Sequence, residues 1–334
     1  MHRLRRTYAL AAVLLACVGP HPAAAEMSKI TIAHQFGLGY LPLYVMSDQR
    51  LIEECAKLEG VRDVTVEWVK MGSTAVLADG ILSGNFTVAS AGVPPFIVVW
   101  AKTNAKVRMI SALNEQPMKL NTNDSKVNSI SDFTDQHRIA VPAIKTSAHS
   151  ILLGMAAEKV WGKGSGNKLD TLQVPLSHPD ATAALLAGKG QITAHFSTIP
   201  FTAMQLANPK IHTILTSTEI LGGPSTTTAW WTTERFHDEN PKLYEALVCA
   251  ADKAISFVNG NRAQAARIYK AAEPSNMSDS EVEKIISDPE VTYTMTPERT
   301  LVFGDYMYRA GVISKKPTSW QDFFFSNVRS LPGS

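Results

Sequence analysis

The residues able to bind or react with a small molecule recur at one kind of place in this chain, just past short β-type runs and at helix starts. His34, Gln35, Phe36, Gly39 and Tyr40 follow the run Lys29–Ala33. Gly72, Ser73 and Thr74 follow Val64–Trp68, and Ala91, Gly92 and Val93 follow Phe86–Ala89. Thr146, Ser147 and His149 stand at a helix start, and His195, Phe196 and Ser197 end a strand. Asn114, Glu115 and Gln116 lie at one passage between the two halves of the pattern, and Thr226, Thr227 and Trp230 at the other. A helix start offers unpaired N–H groups and the positive end of its dipole, so together with Ser, Thr and His donors it suits an oxyanion. Phe36, Tyr40, Phe196 and Trp230 would instead sandwich a flat ring, and Glu115 would answer an amine or a ring N–H.

Each candidate has a plainer role. Ser73–Thr74 and Thr146–Ser147 are good helix caps, and capping draws on the same N–H groups as ligand binding. Gly92 fits a turn, while Tyr40 and Trp230 fit a core as well as a cleft. Trp231, facing the other way from its neighbour, belongs to the core. His34, His149 and His195 invite a metal, but they lack ligand spacing and no carboxylate joins them, so neither metal nor cofactor is expected. Catalytic signatures are missing: there is no Gly-x-Ser-x-Gly elbow and no His-Glu-x-x-His helix. Gly162-Lys-Gly-Ser-Gly166 follows a helix and precedes a strand, the wrong end for a phosphate loop, and reads as a flexible turn.

The elements that would carry these residues alternate. The order strand, helix, strand, helix, strand over residues 29–89 is the grammar of a mostly parallel, doubly wound sheet. It uses one long helix from Leu43 to Leu58 and another from about Gly72 to Ser83. The middle repeats it: strand 138–141, helix 148–160, strand 172–174, a helix opened by Pro179–Asp180 and closed by Gly188, then strands at 191–194 and 211–215. The tail is helical. Pro241 starts a helix to about Phe257, Ser278 and Glu281 form a capping box, and Thr296–Pro297 opens a helix that Gly311 ends. With no Gly/Ser-rich or charged linker, the two halves must be joined by ordered crossings.

Arg3, Arg5 and Arg6, the apolar stretch Ala9–Val18 and Ala23-Ala24-Ala25 have the order of a secretory leader, cut after Ala25. The stretch is too short to span a bilayer. Leu14-Leu15-Ala16-Cys17 partly fits a lipoprotein box, which would tether the chain through Cys17. The 334 residues carry 32 basic and 30 acidic side chains. Without the leader the balance is near neutral, so neither nucleic acid nor an anionic membrane is an expected partner. An oxidising compartment would permit a disulfide between Cys55 and Cys249, but both fall in helix-like stretches and read as two buried free thiols.

Several segments resemble the nitrate/sulfonate/taurine family of ABC solute-binding proteins, which includes relatives of thiamine-precursor binding proteins. They are Ile30–Ala33, Gly39–Pro42 and Leu51–Glu53; Ile81–Gly84 with Phe86–Gly92; Ile130–Phe133 before Arg138–Pro142; Pro179–Asp180 with Ala183–Gly188; and Gly311–Ile313 with Trp320–Phe323. The resemblance implies a periplasmic-binding-protein type II α/β fold, with lobe one at 26–113 plus 218–334 and lobe two at 114–217. The crossings would fall near Leu113–Leu120 and Ser217–Thr228. It further implies a monomeric periplasmic receptor that shuts on a small anion or a pyrimidine-like solute and delivers it to an ABC permease in the inner membrane. The cleft residues would be Gln35, Phe36, Tyr40, Ser73, Thr74, Gly92, Val93, Asn114, Glu115, Thr146, Ser147, His149, His195, Ser197, Thr226 and Trp230. The competing readings are an exported enzyme and a ligand sensor for a membrane kinase. A pyrimidine synthase of the same fold uses a cysteine-rich motif that this chain lacks.

Overall fold

The computed structural model describes residues 26–273 and 275–334; the expected leader and Cys17 lie outside the described residues. The chain begins with β1 (Lys29–His34), α1 (Leu41–Asp48), α2 (Leu51–Leu58), β2 (Thr65–Lys70), α3 (Thr74–Ser83), β3 (Val88–Ala91), α4 (Val93–Lys102) and β4 (Val107–Glu115). It continues with β5 (Lys119–Thr122), β6 (Ile139–Val141), α5 (Ala148–Trp161), β7 (Gln173–Pro175), α6 (His178–Ala187), β8 (Ala194–Ser197), α7 (Phe201–Leu206), β9 (His212–Thr216) and α8 (Ser217–Leu221). The last part holds β10 (Thr226–Thr233), α9 (Glu234–Glu239), α10 (Pro241–Gly260), α11 (Arg262–Ala272), α12 (Asp279–Ile286) and α13 (Thr300–Arg309).

These strands form two five-stranded sheets of the same plan, ordered β2-β1-β3-β10-β4 and β7-β6-β8-β5-β9. In each, three parallel strands are followed by an antiparallel one, β10 against β3 and β5 against β8. Each antiparallel strand enters directly after the chain has passed from the other sheet, so both passages are short and ordered. They are also bonded to each other. Thr227 Oγ1 accepts from the Gln116 N–H at 3.2 Å and donates to the Gln116 carbonyl at 2.8 Å, and Met118 and Ser217 exchange two further bonds.

The alternation of strand side chains builds the layers. On β10, Trp230 joins Ile30, Ile32, Val88 and Ile110 under α1, α2 and α10. Trp231 points to the other face, among Ala89, Met109, Phe96 and Phe323. No helix of the described residues is long and apolar enough to cross a membrane.

The structure departs from the sequence reading in several elements. The helix expected over Leu43–Leu58 is two, α1 and α2, separated at Arg50, whose φ of 52° ends one helical run and starts the next. The final helix begins at Thr300, not at Pro297, after a left-handed Arg299. Strands β3 and β8 start two or three residues late, because their hydrophobic runs begin in the turns that precede them. The free-thiol expectation is overturned: Cys55 on α2 and Cys249 on α10 form a disulfide, with Cα atoms 6.1 Å apart. The two helices pack closely along their apolar faces, and this brings the thiols within bonding reach.

Candidate functional site

Loops at the carboxyl ends of β1, β2 and β3 face those of β6, β7 and β8, and the two passages close the gap. The narrow cavity between them, about 20 Å³, is lined by residues from all eight segments. Gln35, Phe36, Gly39 and Tyr40 follow β1; Thr74 follows β2; Gly92 follows β3; Gln116 and Met118 lie in one passage. Ser147, Ala148 and His149 follow β6, His178 follows β7, Thr198 follows β8, and Thr227 and Thr228 open β10. Ligands of open α/β sheets bind outside the carboxyl ends of the strands. None of the lining residues carries a carboxylate, an ammonium or a guanidinium.

Several local features bring these groups together. Gly37 has φ of 115°, and a Cβ there would stand 2.9 Å from the Ile199 carbonyl, which accepts from the Leu38 N–H at 3.1 Å. Glycine at 37 therefore lets the first loop bond across to the facing half. Gly39 lies against Thr228, Gln116 and Asn114; a Cβ would sit 2.6 Å from Thr228 Oγ1. The first turns of α3, α5 and α6 aim inward, capped by Ser73, Ser147 and Ser177 respectively. Gly92 caps α4 without a side chain.

The polar groups of the cavity are poorly spent within the protein. Both ring nitrogens of His149, Thr74 Oγ1 and Gln116 Oε1 are buried without a hydrogen-bond partner. Buried polar atoms are satisfied in the great majority of native structures, and those that are not call for a partner. Burial holds the histidines neutral. The His178 ring is lowered to about 4, and His149 and His195 lie well below the ordinary histidine range for the same reason, reinforced by their proximity to His178. His149 packs edge-on to His178, with ring centres 4.8 Å apart.

Of the residues singled out from the sequence, Gln35, Phe36, Gly39, Tyr40, Thr74, Gly92, Gln116, Ser147, His149 and Thr227 meet at this cavity. His195 and Ser197 stand one layer behind it, His195 Nε2 lying 2.9 Å from His178 Nδ1 and Ser197 Oγ bonding Thr202 and Gln205. Asn114 is buried beside Gly39 with its Oδ1 unpaired. Six further residues do not reach the space. Ser73 turns its hydroxyl to the Ala75 N–H, and Val93 buries its side chain in the core. Thr146 lines a separate groove beside α13. Thr226 accepts from the Glu298 N–H. Trp230 is fully buried with its N–H on Ser111 Oγ; an alternating strand must send one of two adjacent tryptophans to each face, and both faces of β10 are covered. Glu115 sits at the end of β4, outside the cavity, and burial with Glu298 nearby raises its carboxyl to about 7. His34 is buried behind the first loop among Tyr40, Tyr44 and Trp68. Sequence reasoning missed His178, Thr198, Met118 and Thr228. His178 had a usable signal, since Ser177-His178-Pro179 opens a helix after a strand, as Ser147 does.

Comparison with known proteins follows this geometry. A model of the NMT1-like family matches residues 23–272. A search of curated proteins returns no match. Among solved structures, the alkanesulfonate-binding protein SsuA of Xanthomonas axonopodis pv. citri, bound to MOPS, superposes with a TM-score of 0.70 at 18% identity, over 88% of this chain and 96% of that one. The periplasmic nitrate-binding protein NrtA of Synechocystis PCC 6803 gives 0.69 at 16% identity, over 90% and 85%. The periplasmic aliphatic sulphonate-binding protein SsuA of Escherichia coli gives 0.65 at 15% identity, over 90% and 92%. The family match spans most of the sequence, and the chain belongs to the NMT1-like family, built on the two-sheet fold of the periplasmic binding proteins.

Proposed function

We propose that this chain is the periplasmic solute-binding component of an ABC importer and that it captures a small oxyanion of the sulfonate, nitrate or carboxylate class. Its lobes would be residues 26–113 plus 218–334 and residues 114–217, hinging at the paired passages and shutting on the solute. The closed form would then dock on a permease in the inner membrane, and no reaction is catalysed. The observation that carries the reading is the cavity itself: six strand ends and both passages converge on a space lined with unpaired neutral polar atoms. Inward-facing helix starts add partial positive charge without a fixed cation. The sulfonate- and nitrate-binding proteins of the same fold support that ligand class. A flat aromatic solute is the second reading, favoured by Phe36 and Tyr40 on one side of the cavity and the rings of His149 and His178 on the other.

A thermal-shift screen of the chain lacking residues 1–25 tests both readings. It should cover sulfonates, nitrate, carboxylates, pyrimidines and amino acids. A solute at a thousand times its Kd stabilises the protein by about 4 kcal/mol, a rise of several degrees in Tm. A pyrimidine raising Tm where no oxyanion does would select the second reading. No shift from any class, or steady product formation from one of them, would remove the receptor reading.

A further inference from the structure

Behind the cavity runs a buried chain of polar side chains that a solute would not touch. Asn121 Nδ2 on β5 donates to Gln205 Oε1 at 2.8 Å, and Ser197 Oγ donates to the same oxygen at 3.2 Å. Thr213 Oγ1 holds the Asn121 amide in place by donating to its Oδ1 at 2.7 Å. Gln205, on α7 and fully buried, turns its Nε2 the other way, donating to Thr182 Oγ1 at 2.9 Å and to His195 Nδ1 at 2.7 Å.

A ring nitrogen that accepts a hydrogen bond carries no proton. His195, neutral and buried, must therefore hold its proton on Nε2, which lies 2.9 Å from His178 Nδ1. That nitrogen in turn accepts, so the proton of His178 sits on Nε2. Nε2 has no hydrogen-bond partner among the described residues, and the ring that bears it lines the cavity. The ring is held in place by stacking on Phe201 and by the edge of His149.

We propose that Gln205 is a positioning residue for the solute: acting through His195, it fixes the tautomer of His178 so that the cavity is offered an N–H and not a lone pair. This rests on the reading that a solute occupies the cavity, and it narrows the solute class. A group that only accepts, such as nitrate, a sulfonate or an ionised carboxylate, meets a fixed donor. A solute that turns an N–H or O–H toward His178 meets the wrong edge of the ring and leaves two donors facing each other.

The test is nitrogen-15 NMR of the histidine side chains in the ligand-free chain, with His178 and His195 assigned by substitution. Both rings should show a proton coupling on Nε2 and a bare Nδ1. A proton on Nδ1 of either ring, or on both nitrogens, would overturn the proposal. Gln205→Glu supplies a second arm. A carboxylate only accepts, so His195 must donate through Nδ1, and the Nε2–H coupling of His178 should be lost in favour of Nδ1–H. Retention of the Nε2–H on His178 in that variant, with His195 carrying a single proton on Nδ1, would also overturn the proposal. If Gln205→Glu does not fold, the wild-type spectrum decides alone. The expected tautomers in a chain that binds no oxyanion would overturn the proposal through the solute reading it rests on, not through the tautomer.

Discussion

His149 keeps both ring nitrogens buried and unpaired, a cost of about 1–3 kcal/mol for each unsatisfied group. Under the proposed function, a solute that bonds these atoms would recover that cost, so they are where its binding energy would be generated. The buried histidines also make the fold sensitive to acid. His34 and His178 are lowered by burial to about 4, whereas an unfolded histidine titrates near 6.5. The folded state binds fewer protons in that window, so stability is complete above pH 6.5 and is lost as the pH falls toward 4, by about 2–3 kcal/mol per ring. Glu115, raised to about 7, works in the opposite direction, because ionisation is what costs it stability. Urea unfolding at pH 7 and pH 4.5 should show a net loss at the lower pH, and a steeper one in Glu115→Gln; equal stability at the two values would contradict the burial of these rings. Trp230 belongs to the core, not the cleft. Trp230→Ala should cost about 3–5 kcal/mol in chemical denaturation while leaving solute affinity in the folded fraction unchanged. A weakened affinity at full stability would return Trp230 to the site.

Among the elements, α2 and α10 are held together by the Cys55–Cys249 disulfide, which closes a separation of 194 residues. In the loop-entropy account a ring of that size is worth about 5 kcal/mol, and native bridges commonly deliver about 2–5. Cys55→Ala with Cys249→Ala should lower stability within that range, read by urea unfolding under oxidising conditions; no change would mean that helix packing alone fixes the pair. The sequence could place both cysteines on helices but not put those helices side by side, because their contact is long-range. The same divide runs through the rest of the fold. The parallel strands and the caps at Ser73, Ser147 and Ser278 were legible, since they follow from local alternation and side-chain chemistry. The strands β4, β5 and β10 were not, since each is covered on both faces or inserted between others and lacks a half-buried alternation. The site followed the same rule. Residues at strand ends were recognisable, whereas Met118 and Thr228 joined the candidate site only when two sheets were set face to face. Trp230 failed because no local pattern tells which face of a doubly covered strand looks into a cleft.

At the scale of the whole molecule, the two sheets are in contact on both sides of the cavity. On one side the Leu38 N–H bonds the Ile199 carbonyl. On the other, Arg309 at the end of α13 pairs with Glu158 of α5 at 2.6 Å, and Tyr306 fits between Gly154 and Gly166. Under the proposed hinge, such contacts would exist only while the halves are together and would favour the closed form without touching a solute. A partly exposed ion pair is worth at most about 1 kcal/mol. Arg309→Ala should accordingly weaken solute affinity by up to about fivefold and enlarge the radius of gyration of the solute-free chain in small-angle scattering. An unchanged affinity and radius would show that this contact does not bias closure.

Calorimetric titration of the wild-type chain and of His149→Phe with the best oxyanion from the screen bears most directly on the central claim. The wild type should bind one solute per chain, saturably. His149→Phe removes both unpaired nitrogens from the cavity wall; it should bind at least tenfold more weakly while being no less stable when empty. Oxyanion binding of equal strength in the two proteins would place the solute elsewhere and contradict a cavity between the lobes as its seat.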